Sequence, residues 1–408
     1  MLIESIIRKT LGLKRHCVKK VKEKDGCLMV FLTPDKRFKL ICSHCGSKGP
    51  GYDTLKVRRW KHVHLWGIPV ILVYAPRRVE CANCGVKVEA IPWSQGKSPL
   101  SLPLSMVLAT WAKIVVWKIV GQIYGFHWNT VRKAVKDVVE YGLKHRDLDS
   151  VLYIGIDEIS RKKGHVYHTQ VYDLIEQRLL WSGEDRTSES LEAFFDELGK
   201  ERCENIQAVC CDMWAPYIDV IKSRLPDTLV VFDKFHIVRH LLDAVDQVRK
   251  EEANKLKSED PDLLKNTRYI WIKNPWNLTQ IQETKLSDLE KLNLKINRAY
   301  ILKEAFRRFW DYTYPASAKK YLDKWFWWAT HSRLEPMRKF AWMIRRHQHD
   351  ILNYFKVLID NGLVEGLNNK AKVISHRAYG YRSAETFKLA LLHGMGKLPE
   401  PILTHRFL

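Results

Sequence analysis

Apolar positions divide the chain into zones of different period, and each zone implies a different kind of element. Residues 1 to about 95 hold short strand-like runs, among them "WGIPVILVYA" from Trp66 to Ala75. From Leu100 to about Lys144 the spacing turns helical, in "SMVLATWAKIVVWKIVGQIYG" and then "FHWNTVRKAVKDVVEYG". Between Val151 and about Lys250 the pattern reads strand, strand, strand, helix, strand, helix, strand, helix. The strands are expected at Leu152–Ile159, Val166–Leu174, Arg178–Ser182, Ile206–Cys211 and Thr228–Phe232. The helices are expected at Ser188–Lys200, Ala215–Arg224 and Lys234–Lys250, with Thr187 or Ser188 as the first N-cap. A charged linker, "KEEANKLKSEDPD", then leads into amphipathic helices up to about residue 355, and a last helix and basic segment occupy "NGLVEGLNNKAKVISHRAYGYR" (Asn361 to Arg382).

A chain of 408 residues exceeds what one core usually supports, and 46% hydrophobic content is ample for several. The zones give a multidomain α+β protein. Residues 1–97 are expected to form a first, strand-rich module and 98–148 a helical domain. Residues 149–250 begin an α/β core, 251–355 an all-helical insertion, and 356–408 the last part of the core with its tail. Lys and Arg total 68 against 46 acids, a net charge of +22 spread through most of the chain. Such a field favours a polyanion, with nucleic acid the default partner. Residues 1–20 contain no signal-peptide apolar core and the longest apolar run is too short to span a bilayer. A cytoplasmic protein without membrane contact is therefore expected.

Four of the nine cysteines fall into "CSHCG" and "CANCG", which are Cys42, Cys45, Cys81 and Cys84. A glycine after each CxxC permits the tight turn that points two thiolates at one tetrahedral ion. The spacing between the pairs is long for a zinc ribbon, but "LWGIPVILVYAPRRVEC" offers a hairpin that returns the second pair to the first. Four thiolates close the coordination sphere, so the zinc is structural; His44, His62 and His64 are read as surface or DNA-facing groups.

In "WKIVGQIYGFHWNTVRKAVKDVV" a helix ends near Tyr124, Gly125 turns the chain, and Val131, Val135 and Val138 line the apolar face of a second helix. Arg132, Lys133 and Lys136 lie off that face, the outline of a helix-turn-helix whose second helix enters a major groove. A plain helical hairpin with a solvated basic face has the same outline.

The strand order from Val151 onward matches an RNase H-like core, three antiparallel strands followed by two parallel ones. On that fold the first and fourth strands are neighbours. Asp157 ends "LYIGID" and Asp212 ends "IQAVCCD", and an acid at the end of a buried apolar strand is costly unless paired or bound to a cation. Strand alternation sends Glu158 to the opposite face from Asp157. A third acid is expected from a helix. Glu365, Asn368, Asn369, Lys372 and His376 recur on one face of such a helix, with Leu363, Leu367, Ala371 and Ile374 opposite.

These residues resemble the ISL3 family of bacterial insertion-sequence transposases over nearly the whole chain. The likeness rests on "CSHCG" with "RRVECANCG", "YIGIDEISRKKGHVYHTQVYDL", "CCDMWAPYIDVIKSRLPDTLVVFDKFHIVRHL" and "NGLVEGLNNKAKVISHRAYGYRS". The resemblance implies a DDE triad at Asp157, Asp212 and Glu365 and an RNase H-like core split by a helical insertion. It also implies a supporting Asp-x-x-His feature at Asp233 and His236. Asp360 stands where a small hydroxyl residue is often found, which leaves the N-cap of the last helix open.

The implied chemistry is phosphodiester hydrolysis and strand transfer with two Mg²⁺ or Mn²⁺ ions. Asp157 would bridge them, Asp212 bind one and Glu365 the other. DNA contacts are expected from Arg132, Lys133, Lys136, Asn369, Lys372 and Arg377, and from a turn at Arg161, Lys162 and Lys163. The partners would be terminal inverted repeats and target duplex, bound by a homodimer or larger assembly. A catalytically inactive DNA-binding regulator and an RNase H-like nuclease are the alternatives. Most of Trp310, Trp325, Trp327, Trp328 and Trp342 are expected to pack the core of the insertion, the alternative being stacking on unpaired bases.

Overall fold

The computed structural model describes residues 4, 5, 7, 15–94, 96–162, 166–357 and 362–401. It divides into two compact units, one of residues 1–146 with 377–408 and one of residues 147–376.

In the first unit, β1 (His16–Lys24), β2 (Cys27–Pro34), β6 (Arg58–Leu65) and β7 (Ile68–Tyr74) form a sheet of order β1-β2-β7-β6. Its core gathers Val30, Leu32, Trp60, Val70, Leu72 and Trp93. Between and after these strands come β3 (Leu40–Ile41), β4 (Lys48–Gly49), β5 (Gly51–Thr54), β8 (Arg77–Cys81) and β9 (Gly85–Val88), the last two antiparallel. The β6–β7 hairpin returns the chain through β8 to Cys81, as the run from Leu65 to Cys81 implies.

Three helices follow, Leu102–Ile114, Trp117–Ile123 and Trp128–His145. The sequence reads the first two as one, but extended backbone at Val115 and Val116 breaks them. Two consecutive β-branched residues favour that conformation. Gly125 turns the chain at φ 69°, and Gly121 is required because a Cβ there would lie 2.5 Å from the Phe126 carbonyl. Val131, Val135 and Val138 are buried as their spacing implies. The closing helix of this unit is Ala384–Met395, capped by Ser383.

The second unit is built on a five-stranded sheet of β10 (Tyr153–Lys162), β11 (Val166–Asp173), β12 (Arg178–Glu184), β13 (Ala208–Cys211) and β14 (Leu229–Phe232). The order is β12-β11-β10-β13-β14, antiparallel through β10 and parallel beyond it. β13 is buried along its whole length, which is why its sequence is continuously apolar rather than alternating. Helices Ser188–Leu198, Ala215–Arg224 and Lys234–Lys255 fall where the pattern puts them, the first capped by Thr187. The charged stretch read as a linker continues the last helix to Lys255 before a 3-10 turn.

Helices continue through residue 357, and their aromatic side chains divide. Trp310 and Trp325 are buried, whereas Trp327 is 63%, Trp328 42% and Trp342 53% exposed. The expectation that most of them pack the core is therefore wrong. Trp327 and Trp342 each lie across their helix from its buried stripe, a separation that local richness in tryptophan conceals.

Candidate functional site

Two constellations of chemistry-bearing side chains stand out, one in each unit. In the first unit the Sγ atoms of Cys42, Cys45, Cys81 and Cys84 all lie within 4.8 Å of one another. Gly46 and Gly85 take positive φ, 75° and 70°, so each CxxCG closes the turn that only glycine adopts freely. The Gly46 N–H donates to the Cys42 carbonyl and the Cys84 N–H to that of Cys81. The spread suits a tetrahedral ion with Zn–S bonds of about 2.3 Å. His62 has no part in this cluster. It is buried, its Nδ1 is 2.8 Å from Ser101 Oγ, and burial pulls its imidazole down to about 4.

The second constellation lies at one end of the five-stranded sheet. Gly155 pairs with Cys210 and Cys211 with Phe232, so the register carried onward brings Asp157, midway along β10, level with Asp212 and Asp233, which directly follow β13 and β14. Neighbouring strands lie about 4.8 Å apart, so three acids in a row need compensation. The Asp157 carboxylate accepts from the Glu158 N–H at 2.7 Å and from the Asn368 amide. Burial raises its pKa above the ordinary carboxylate value; these bonds and the nearby His236 pull the other way, and Asp212 adds to the rise. Asp212 accepts from the Met213 N–H at 2.6 Å, and His236 stands between acids, Nδ1 3.5 Å from Asp212 and Nε2 3.5 Å from Asp233. Asp233 caps the helix Lys234–Lys255 through the Phe235 N–H.

Glu158 points to the other face, as alternation requires, yet it joins the same charge network. Arg186 lies 2.9 Å from Glu158 and 3.6 Å from Asp212, and its guanidinium sits over Trp214 at 4.6 Å. Burial lifts the Glu158 carboxyl to about 7 against the pull of Arg186.

The helix Gly362–Arg377 packs on the Asp157 face of the sheet. A Cβ on Gly155 would lie 2.6 Å from Val364 Cγ2, so this glycine permits the approach. The buried stripe is Val364, Leu367, Asn368, Ala371 and Ile374; Leu363 is 37% exposed. The packed face thus starts at Val364 rather than Leu363, and Asn368 lies on it, accepting from Tyr172 Oη at 2.7 Å while donating to Asp157. Glu365 is exposed in the first turn, one turn before Asn368. Among the described residues the cysteine cluster is the only metal-sized group of such ligands, so the three acids are not drawn together to ligand distance.

The residues expected at DNA have varied surroundings. Lys133, Asn369 and Lys372 are exposed. Arg132 pairs with Glu385 at 2.9 Å and donates to Thr386 Oγ1, and Lys136 lies 3.6 Å from Glu385. Arg377 donates to the carbonyls of Lys113 and Ile114, both at 2.7 Å, so its guanidinium closes a helix end rather than standing free for a phosphate. Arg161 and Lys162 belong to β10 instead of a turn, and Lys163 lies outside the described residues.

Sequence reasoning missed Arg186, Trp214, Tyr172 and the burial of Asn368. The last was readable, because Val364, Leu367, Ala371 and Ile374 carry the helical spacing as well as the chosen set does, and Asn368 falls among them.

Comparison with known proteins identifies the family. Residues 154–391 match the ISL3-type transposase family, and residues 40–84 match the zinc-finger of the transposases of IS204, IS1001, IS1096 and IS1165. With the four-sulfur cluster, the second match supports a structural zinc ion. The transposase for insertion sequence element IS1001 of Bordetella parapertussis is 29% identical over 89% of this chain and 90% of its own. That for insertion sequence element IS1557 of Mycobacterium tuberculosis is 30% identical over 88% of this chain and 86% of its own. No helix of the described residues is long and apolar enough to cross a membrane. With a family match over more than half its length, the chain belongs to the ISL3 family of insertion-sequence transposases.

Proposed function

We propose that this transposase binds the terminal inverted repeats of its element and cleaves and joins DNA strands with a DDE triad of Asp157, Asp212 and Glu365. The observation that carries the proposal is the level row of acids at the sheet end, with Asp157 buried against its own charge. The order β12-β11-β10-β13-β14, with its antiparallel and parallel halves, supports reading the second unit as an RNase H-like core. The helices on either side of Gly125 support a helix-turn-helix.

The donor set fits hard divalent ions, since carboxylate oxygens are the ligands such ions take and a buried carboxylate gains from a compensating cation. Asp157, Asp212 and Glu365 would hold two Mg²⁺ or Mn²⁺; bound there, the ions neutralise charge at the scissile phosphate and ease deprotonation of the attacking hydroxyl. The remaining roles belong to the chain itself. Asn368 and the Glu158 N–H orient Asp157, and the Asn368 contact keeps Glu365 within one helical turn of the row. His236 separates Asp212 from Asp233, and Arg186 offsets the charge of Glu158 and Asp212.

Lys133, Asn369 and Lys372 are the exposed groups suited to phosphate or base contact, and Arg132 and Lys136 join them once released from Glu385. The working form is a homodimer or larger assembly on two element ends, in the cytoplasm. Asp157→Asn and Glu365→Gln should each abolish nicking at the element boundary while leaving binding of the end intact. Persistent cleavage in either variant rejects the triad.

A further inference from the structure

We propose that the helical insertion carries a binding surface for unpaired DNA, on which Trp327 and Trp342 stack bases while the cations beside them hold the backbone. The inference rests on the DNA-processing reading above and extends it to a part of the chain that the proposed chemistry does not use.

Trp327 lies in the helix Pro315–His331 across from the stripe Ala318, Leu322, Trp325 and Ala329 that the helix buries. Its ring is stacked on His331 with centroids 4.4 Å apart, which holds one side of the indole while the residue stays 63% exposed. Trp342, in the helix Glu335–Arg346, is 53% exposed and meets Phe326 of the neighbouring helix edge-on at 5.1 Å. Both indoles are thus fixed by a neighbour and open to solvent. A rigid exposed aromatic face has a physical use in stacking, and leaving two such rings in water forgoes the gain of burying them.

The charge beside them selects the occupant. Arg338, Lys339, Arg345 and Arg346 stand at i−4, i−3, i+3 and i+4 from Trp342, the positions that share its face. Lys324 stands three residues before Trp327 and Lys320 a further turn back. Arg338 and Arg345 pair with Glu335 and Asp323, but among the described residues Lys320, Lys324, Lys339 and Arg346 have no ion-pair partner. Unpaired cations around open indoles suit a flexible polyanion with flat apolar faces, which is single-stranded nucleic acid. In a base-paired duplex those faces are stacked on one another and closed to a protein ring.

The test uses the full-length protein without divalent metal, titrated by fluorescence anisotropy with three labelled DNAs. These are a mixed-sequence single strand, a strand of equal length with abasic sites throughout, and a duplex of the element end. The expected result is that Trp327→Ala with Trp342→Ala weakens single-strand binding by about tenfold or more. The same change leaves abasic and duplex binding unaltered, and Phe at both positions restores most of the loss. Both residues are exposed, so the variants retain their cores. Equal binding of the mixed and abasic strands by the wild type, or no effect of the alanines, overturns the inference while duplex binding keeps the transposase reading. Failure to bind any of the three DNAs overturns both.

Discussion

Replacing Asn368 by alanine tests how the acid row is held. The residue is 6% exposed and joins Tyr172, whose side chain is fully buried, to Asp157. Alanine removes a hydrogen bond to a carboxylate and leaves the Tyr172 hydroxyl buried without its acceptor. Together these losses should destabilise the 147–376 unit by about 3 kcal/mol. The loss has a definite pH dependence. The Asn368 amide favours the charged form of Asp157, so its removal raises further a carboxyl that burial already holds up. A carboxyl raised in the folded state adds stability below its unfolded value and loses it as pH rises through the folded value. The variant should therefore fall further behind the wild type at pH 8 than at pH 4. Urea denaturation at both pH values, with Tyr172→Phe and the double variant completing a cycle, measures the loss and a coupling of about 1 kcal/mol. A loss below about 0.5 kcal/mol, or one equal at the two pH values, refutes the network.

Three other consequences are open to measurement. Cys42→Ser or Cys81→Ser should release the zinc and make residues 15–97 sensitive to protease, since structural zinc can contribute about 10 kcal/mol or more to a small module; unchanged metal content by elemental analysis rejects the cluster. Burial holds Glu158 at about 7, so the wild type loses stability as pH rises from the ordinary carboxylate range through 7. Glu158→Gln should gain on the wild type by up to about 3 kcal/mol across that window in urea midpoints, and a pH-independent difference contradicts the assignment. Glu385→Ala frees Arg132 and Lys136, so affinity for the terminal duplex should rise several-fold at low salt, with a steeper salt dependence by anisotropy. Weaker or unchanged binding removes those two cations from the interface.

Much of the second unit is written in local pattern. Its strands and helices begin and end within a few residues of where alternation and capping put them, because a sheet covered on both faces demands continuous apolar runs such as Ala208–Cys211. The cysteine cluster is equally legible, since each glycine after CxxC records a backbone angle. Contacts between distant segments are not written that way. Arg186 precedes a helix without any pattern of its own, and only the fold brings it to Glu158 and Asp212. Leu363 and Val364 both fit the spacing of the apolar stripe, and only the packing decides for Val364, which places Asn368 on the buried face. Arg377 read as a phosphate ligand because its sequence neighbourhood is basic, whereas its partners are carbonyls more than 200 residues away.

The most direct test of the central claim is Mg²⁺-dependent nicking of a labelled duplex spanning the element boundary, with end binding measured on the same preparations. Wild-type protein should nick one strand at the boundary, and Asp157→Asn, Asp212→Asn and Glu365→Gln should bind the end normally and leave it intact. Nicking by any of the three variants, or none by a wild type that binds the end tightly with metal present, contradicts the assignment of these acids to strand cleavage.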